Sequence, residues 1–226
     1  MIAGAALVVL VVGGPYVFFH FVESKAPAPL ALVTSSATAG SSGTTGSSQG
    51  IAKADGTWKV TASSVVGYRV DEVLFGQSHT ATGRTSAITG SIAISGTKVT
   101  SGSFTVDMTT VTSDDTRRDE QFNGRIMETS TYPTATFALT QPIDLGSIPA
   151  AGVQRTMQAN GTLTLHGVTK PVAFTVTAQY VGSTIQVAGS IPITFAAWNI
   201  SNPSFAPIVT TEDHGVLEFA LDFARA

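Results

Sequence analysis

Apolar residues occupy every second position along much of the chain from residue 58 onward, and Thr or Ser commonly stands between them. This period of two predicts β-strands with one apolar face and one polar face. The connections at residues 95–97, 166–168 and 182–183 are short enough for hairpins, so consecutive strands are expected to be antiparallel. Eight segments carry the pattern, namely 58–70, 88–94, 104–108, 135–139, 157–165, 172–180, 185–195 and 217–223.

The apolar face of such a sheet has to be covered, either by a second sheet or by closure of the sheet on itself. Eight sequential antiparallel strands can close into a barrel that holds one small ligand. An outer-membrane barrel would show the same alternation with its apolar row facing lipid. The apolar N-terminal segment and the absence of aromatic girdles on the strands favour an apolar interior. We therefore predict an all-β fold, an eight-stranded antiparallel barrel.

One segment interrupts the strand pattern. Residues 112–127 (TSDDTRRDEQFNGRIM) have the highest charge density in the chain. Asp114 or Asp115 is suited to cap a short helix, and Phe122 and Met127 are expected to turn inward. Long excursions between strands commonly act as lids or portals.

The N-terminal 22 residues contain no Asp, Glu, Lys or Arg. As a helix they would span about 33 Å, which matches a bilayer core of about 30 Å. A cleaved signal peptide is the alternative, but its apolar region is usually shorter and follows basic residues. We predict a transmembrane anchor over 1–22, a flexible linker over 23–53 with a reach of about 30 Å, and one barrel domain over 54–226.

The composition excludes several classes of protein. The chain has 12 Lys and Arg against 15 Asp and Glu, a net charge of −3, which argues against nucleic-acid binding. The absence of Cys excludes disulfides, thiolate metal sites and a catalytic Cys. No Gly-x-Ser-x-Gly motif or phosphate-binding Gly-rich loop is present. His214 beside Glu212 and Asp213 is a weak alternative for a metal site, and we predict no metal, no cofactor and no catalysis.

Four segments resemble one known family. They are 64–70 (SVVGYRV), 116–119 (TRRD), 132–137 (YPTATF) and 161–170 (GTLTLHGVTK). In this order they are similar to the YceI-like proteins, extracytoplasmic lipocalin-like barrels that bind polyisoprenoids and related lipids. The resemblance covers about residues 55–226. It implies a lipocalin-like barrel with one short helical excursion, preceded here by the N-terminal transmembrane helix.

The inward apolar rows allow two interpretations. Small eight-stranded barrels can be filled by their own side chains, and the residues alone leave a packed core and a ligand cavity both open. The resemblance favours a cavity, in which a prenyl chain would need no polar partner. The candidate lining residues are Phe104, Val106, Phe137, Leu139, Leu163, Leu165, Phe174, Val176, Val187, Ile191, Ile193 and Phe195.

Further candidate ligand-binding residues lie outside the strands. Arg117 and Arg118 could form part of a solvated helix face or meet an oxyanion of a lipid head group, and Asp119 could instead pair with an arginine to hold the excursion shut. His166, in a tight turn, is expected to make a structural hydrogen bond. Exposed apolar residues are expected in the loops 71–83 and 198–209, where a lipid could enter. Phe75, Phe122 and Trp198 complete the candidate set.

The predicted function is the binding or carriage of a long-chain isoprenoid lipid, either a polyisoprenoid or an isoprenoid quinone, outside the cytoplasm. A ligand-free barrel that serves as a cell-surface interaction module is the first alternative, and a lipid-modifying enzyme is the second. We expect a single-pass protein of the cell membrane with its barrel on the extracytoplasmic side. Its partners would be the lipid and the membrane, not nucleic acid, and we allow for a homodimer.

Overall fold

The computed structural model of the chain describes residues 26–32, 54–205 and 209–226. The membrane helix predicted over residues 1–22 and most of the linker predicted over 23–53 lie outside these ranges. Within them, no helix is both long enough and apolar enough to cross a membrane.

The described residues form one closed β-barrel. Eight strands make the ring in the order β1–β4–β5–β6–β8–β9–β10–β12, and β12 pairs back with β1. Every pairing is antiparallel, so the predicted all-β, eight-stranded antiparallel barrel is confirmed. The strands are β1 (Gly56–Val60), β2 (Val65–Leu74), β3 (Gln77–Thr85), β4 (Ile88–Ser95), β5 (Lys98–Asp107), β6 (Thr134–Leu139), β7 (Ile143–Asp144), β8 (Arg155–Leu165), β9 (Val168–Val181), β10 (Thr184–Thr194), β11 (Val209–Thr211) and β12 (His214–Arg225).

The segment expected as a loop over 71–83 is instead a β-hairpin. Strand β2 continues to Leu74, turns through Phe75 and Gly76, and pairs with β3 over nine residues. Both turn residues have positive φ, 48° and 80°, as a tight two-residue hairpin requires. Because β2 also pairs with β12, this hairpin extends the barrel wall beyond β1 and β4.

The charged excursion continues the wall from β5 toward the outer edge of β3. Backbone hydrogen bonds in both directions join Arg84 and Thr112, at 2.8 and 3.0 Å. Helix α1 (Thr116–Gln121) then begins at Asp115, whose side chain accepts from the Arg117 backbone N–H. A π-helical turn (Phe122–Ile126) follows, and Phe122 and Met127 are buried as predicted.

The two ends of the barrel differ in their packing. At the end where β1 begins, here called the closed end, Trp58 and Phe223 are almost fully buried among Ile94, Ile185 and Leu221. The Arg225 guanidinium lies 4.9 Å from the Trp58 ring centre and caps it. The other end carries α1 and the β2–β3 turn and is called the helix end.

A short piece of the N-terminal region lies against the outer wall. Glu218 is only 3% exposed and pairs with Arg84 at 2.9 Å and Arg69 at 3.4 Å. Arg69 donates to the Pro27 carbonyl at 2.6 Å, and the Leu30 N–H donates to Glu218 at 3.2 Å. An ion triad on β2, β3 and β12 therefore holds the extended chain around residues 27–30.

Candidate functional site

A cavity of about 1300 Å³ occupies the barrel interior. Its wall consists mainly of Ile, Leu, Val and Phe side chains from strands on all sides of the ring. The interior is therefore not completely filled by side chains. Of the two interpretations of the inward apolar rows, a packed core and a cavity, the structure shows a cavity.

Sixteen of the seventeen residues predicted for the site border this cavity, and Trp198 does not. Their contact with a ligand remains a prediction. The bordering residues are Phe75, Phe104, Val106, Arg117, Arg118, Phe122, Phe137, Leu139, Leu163, Leu165, Phe174, Val176, Val187, Ile191, Ile193 and Phe195.

Aromatic rings form a connected band across the interior. The Phe137 ring lies 6.3 Å from Phe104 and 5.4 Å from Phe174, and Phe174 lies 5.9 Å from Phe219, measured between ring centres. These spacings are typical of favourable edge-to-face and offset contacts. The band gives the cavity a wall that can contact an apolar chain without any polar partner.

A glycine on a neighbouring strand makes room for one of these rings. A Cβ atom at Gly161 would lie 2.3 Å from two ring atoms of Phe137 and 2.5 Å from the Ala138 carbonyl. The ring therefore lies directly over the β8 backbone. A side chain at position 161 would therefore collide both with the Phe137 ring and with the β6 backbone.

Polar side chains gather at the helix end, where α1 meets the inner face of the β2–β3 hairpin. The Glu72 carboxylate lies 3.1 Å from Nδ1 of His79. The Arg118 guanidinium lies 3.6 Å from the same carboxylate and also pairs with Asp114. Burial opposes the charge on Arg118, but Glu72 and Asp114 outweigh it and raise its pKa. The excursion is thus held to the hairpin by a charged contact that stays ionised.

Tyr68 lies beside this contact and faces inward. Its ring stacks on Phe122 at 5.2 Å with an interplanar angle of 9°. Burial raises the pKa of the Tyr68 hydroxyl well above its usual value, against an opposing effect of Arg118. The phenol is therefore a neutral hydrogen-bond donor at the edge of the cavity.

The other predicted charged residues have partners within the excursion. Arg117 is exposed and pairs with Asp115 at 3.0 Å, and this hydrogen-bonded contact lowers the pKa of Asp115. Asp119 accepts from the Ser113 N–H at 2.8 Å and from its hydroxyl at 2.6 Å. Asp119, for which pairing with an arginine was one alternative, thus closes the turn before α1 through Ser113.

Phe75 and Trp198 have different environments. Phe75 is 52% exposed at the hairpin tip, as expected for an apolar residue where a lipid could enter. Trp198 is only 3% exposed, so its predicted exposure is wrong. The 3-10 helix Phe195–Trp198 turns its indole into the core, and its carbonyl accepts from His166 Nδ1 at 3.2 Å, the structural bond expected of that histidine. Phe205, 65% exposed, is the exposed aromatic residue of that loop.

A cluster of three polar residues also lies at the helix end. Glu212, Asp213 and His214 offer ligand atoms within 4.8 Å of one another, but all three side chains are exposed. The hydrogen bond with Asp213 raises the pKa of His214.

Three polar residues at the helix end were absent from the predicted site, namely Tyr68, Glu72 and His79. Extending the period of two from Val66, Tyr68 and Val70 would have placed Glu72 on the inner face.

Comparison with known proteins identifies this architecture. The family described as YceI-like domain matches residues 58–223. A solved polyisoprenoid binding domain from Saccharophagus degradans, implicated in plant cell wall breakdown, is 19% identical, with a TM-score of 0.61 over 75% of this chain and 98% of that chain. BcnA from Burkholderia cenocepacia is 23% identical, with a TM-score of 0.58 over 72% and 98%. Both structural likenesses show the barrel fold. No curated protein matches this chain.

Proposed function

This chain belongs to the YceI-like domain family, and we propose that it binds a long-chain isoprenoid lipid in the interior of its barrel. The observation that carries the proposal is the cavity of about 1300 Å³, whose wall is mainly apolar. This volume exceeds the range of about 300–1,000 Å³ usual for sites of small ligands. A long chain would use that space.

Burial of an apolar chain is sufficient to drive such binding. Each CH₂ group transferred from water to the cavity contributes about 0.8 kcal/mol. The barrel offers aromatic and branched aliphatic side chains along the whole interior and confines its charged groups to the ends. The description of the Saccharophagus degradans domain as polyisoprenoid binding supports an isoprenoid chain as the ligand.

The proposal extends to the setting of the barrel. The uncharged segment over residues 1–22 supports a membrane anchor, and we propose that the barrel works outside the cytoplasm as a binder or carrier of the lipid. The role is one of sequestration rather than chemistry. A ligand bound in this way should leave the protein unmodified, and recovered lipid is therefore expected to be chemically intact.

The test is native mass spectrometry of the full chain before and after organic extraction. We expect a mass increment before extraction that disappears afterwards and is recovered as an isoprenoid in the extract. A chain that carries no lipid as purified, and takes up none from added prenyl alcohols or quinones, would contradict the proposal.

Two variants on one strand separate the cavity from the outer wall. Ala159 borders the cavity, whereas the adjacent Gln158 is exposed on the opposite face of β8. Ala159→Trp should fill part of the cavity and reduce the retained lipid. Gln158→Trp adds the same ring outside and should retain lipid as the parent chain does. Equal retention by the two variants would place the lipid elsewhere.

A further inference from the structure

Charged side chains are distributed unequally between the two ends of the barrel. The helix-end rim consists of residues 70–80, 112–132, 199–205 and 209–214. It carries nine carboxylates and three guanidinium groups. The loops of the closed end, residues 54–57, 95–99, 140–156, 181–184 and 224–226, carry two carboxylates and three basic groups. The rim is therefore strongly acidic although the whole chain is close to neutral.

The three arginines of the rim are already engaged. Arg117 pairs with Asp115, and Arg118 pairs with both Asp114 and Glu72. Arg125 donates to the Gln121 side chain at 2.6 Å and to a backbone carbonyl of the neighbouring loop at 3.2 Å. A phosphate at this rim would have to displace carboxylates from the arginines and then lie among them. Like charges in such proximity oppose binding.

The same rim suits an uncharged polar group. Tyr68, Arg118 and Gln121 all border the cavity and all carry hydrogen-bond donors. A hydroxyl, quinone or amide oxygen can accept from such donors while the carboxylates keep their guanidinium partners. Phe75 and Phe205, the most exposed aromatic residues described, also lie at this end, whereas Trp58 and Phe223 at the closed end are almost fully buried. The cavity also borders Arg155 at the closed end, so that residue is tested as well.

From this geometry we infer that the cavity selects lipids whose polar end is uncharged and discriminates against phosphorylated chains of the same length. The inference rests on the proposed function, because it concerns the polar end of the lipid that the barrel holds. It assigns that end to the rim formed by α1 and the β2–β3 hairpin.

A competition experiment tests the inference. The full chain, stripped of lipid, is incubated with equimolar geranylgeraniol and geranylgeranyl diphosphate, which share one prenyl chain. The bound fraction is then quantified by mass spectrometry. We expect an excess of bound alcohol of about tenfold. The excess should shrink as salt is raised, because salt screens the exposed carboxylates.

A pair of double variants controls for unspecific changes in charge. Asp114→Asn with Asp115→Asn removes the carboxylate partner of Arg117 and one of the two carboxylate partners of Arg118, which keeps Glu72. An Asn at position 115 can still cap α1. This variant should bind relatively more diphosphate. Asp55→Asn with Asp144→Asn removes the same charge at the closed end and should leave the ratio unchanged.

The outcomes separate the two proposals. Retention of neither lipid would overturn the proposed function and this inference together. Equal retention, a preference for the diphosphate, or an unchanged ratio in the rim variant would overturn only the inference. Diphosphate binding that disappears in Arg155→Gln would instead assign the polar end to the closed end.

Discussion

The closed end and the helix end of this barrel are built from the same alternating strands but are held together by different contacts. At the closed end, Trp58 and Phe223 are almost fully buried among apolar side chains, and Arg225 covers the indole. At the helix end, Phe122 packs on Tyr68 beside a cavity, and the excursion is fastened by Arg118. The cavity borders residues of both ends. The two ends differ in that the closed end is held by apolar burial around Trp58 and Phe223, whereas the helix end adds a charged contact between the excursion and the β2–β3 hairpin.

Truncation at the closed end should have the largest effect on stability. Phe223→Ala removes a ring that is 1% exposed and packed in an apolar cluster on a strand of the ring, and we expect a loss of about 4 kcal/mol in the free energy of unfolding. Urea denaturation followed by Trp fluorescence measures it. Lipid retention by the folded fraction should change little. A loss below about 1 kcal/mol would show that the closed end is not where stability is concentrated.

Truncation at the helix end should reduce stability less than truncation at the closed end, and it should accelerate the release of bound lipid more. Phe122 is 6% exposed, against 1% for Phe223, and lies in the excursion rather than in a strand of the ring. Because the excursion can relax after truncation more easily than a strand, we expect a loss of about 2 kcal/mol for Phe122→Ala. The release of bound lipid to acceptor vesicles should accelerate, because the ring no longer holds the excursion against Tyr68. If Phe223→Ala accelerated release as much as Phe122→Ala did, the assignment of access to the helix end would fail.

The two neighbouring arginines of α1 provide a sharper comparison. Arg118 is largely buried between Glu72 and Asp114, whereas Arg117 points to solvent. Arg118→Gln should lower stability by about 1 kcal/mol and increase amide exchange across residues 112–127. Arg117→Gln should change neither measurably. Hydrogen-exchange mass spectrometry of the two variants distinguishes a specific fastening from a general loss of positive charge.

The hairpin tip offers a smaller effect of opposite sign. Phe75 adopts a positive φ of 48°, a conformation that Asn tolerates better than Phe. Phe75→Asn should therefore stabilise the chain by about 0.5 kcal/mol while slowing uptake of lipid from vesicles. Val73→Asn, at an exposed strand position on the same hairpin, is the control. A stabilised variant with unchanged uptake would remove Phe75 from the path of the lipid.

The smallest effect concerns His214. Its hydrogen bond with Asp213 raises its folded pKa above the unfolded value near 6.5. The contribution to stability is therefore complete below that value and is lost as the pH rises through the folded pKa. An NMR titration should show the raised pKa, and Asp213→Asn should lower it. A histidine that titrates identically in both chains would contradict the contact.

The sequence predicted those strands whose inward residues are large and apolar. Strand β3 was missed because its inward residues, opposite β2, are Gln77, His79, Ala81, Gly83 and Thr85. A Cβ at Gly83 would lie 2.4 Å from the Tyr68 ring. The Tyr68 ring on β2 therefore leaves room only for glycine at the opposite position on β3. Such compensation between strands is invisible to a pattern read along one strand.

The site shows the same limit. The apolar lining followed from alternation alone, but the partners of the charged residues did not. Glu72 and Arg118 are distant in sequence, and only closure of the wall brings them together. Trp198 lies in a Pro-containing region that resembles a surface loop, and the left-handed Asn199, with φ of 56°, is what allows the 3-10 turn to bury the indole.

The docked piece of the N-terminal region changes how distances along the chain are counted. Pro27, Ala28 and Leu30 are fastened to the outer wall by Arg69, Arg84 and Glu218, and Ala54 is buried at the closed end. Residues 33–53 therefore begin and end at two points that both lie on the barrel. The number of residues between 33 and 53 therefore does not limit the distance between the barrel and any segment that precedes residue 26. That distance is counted from the residues held by Arg69, Arg84 and Glu218.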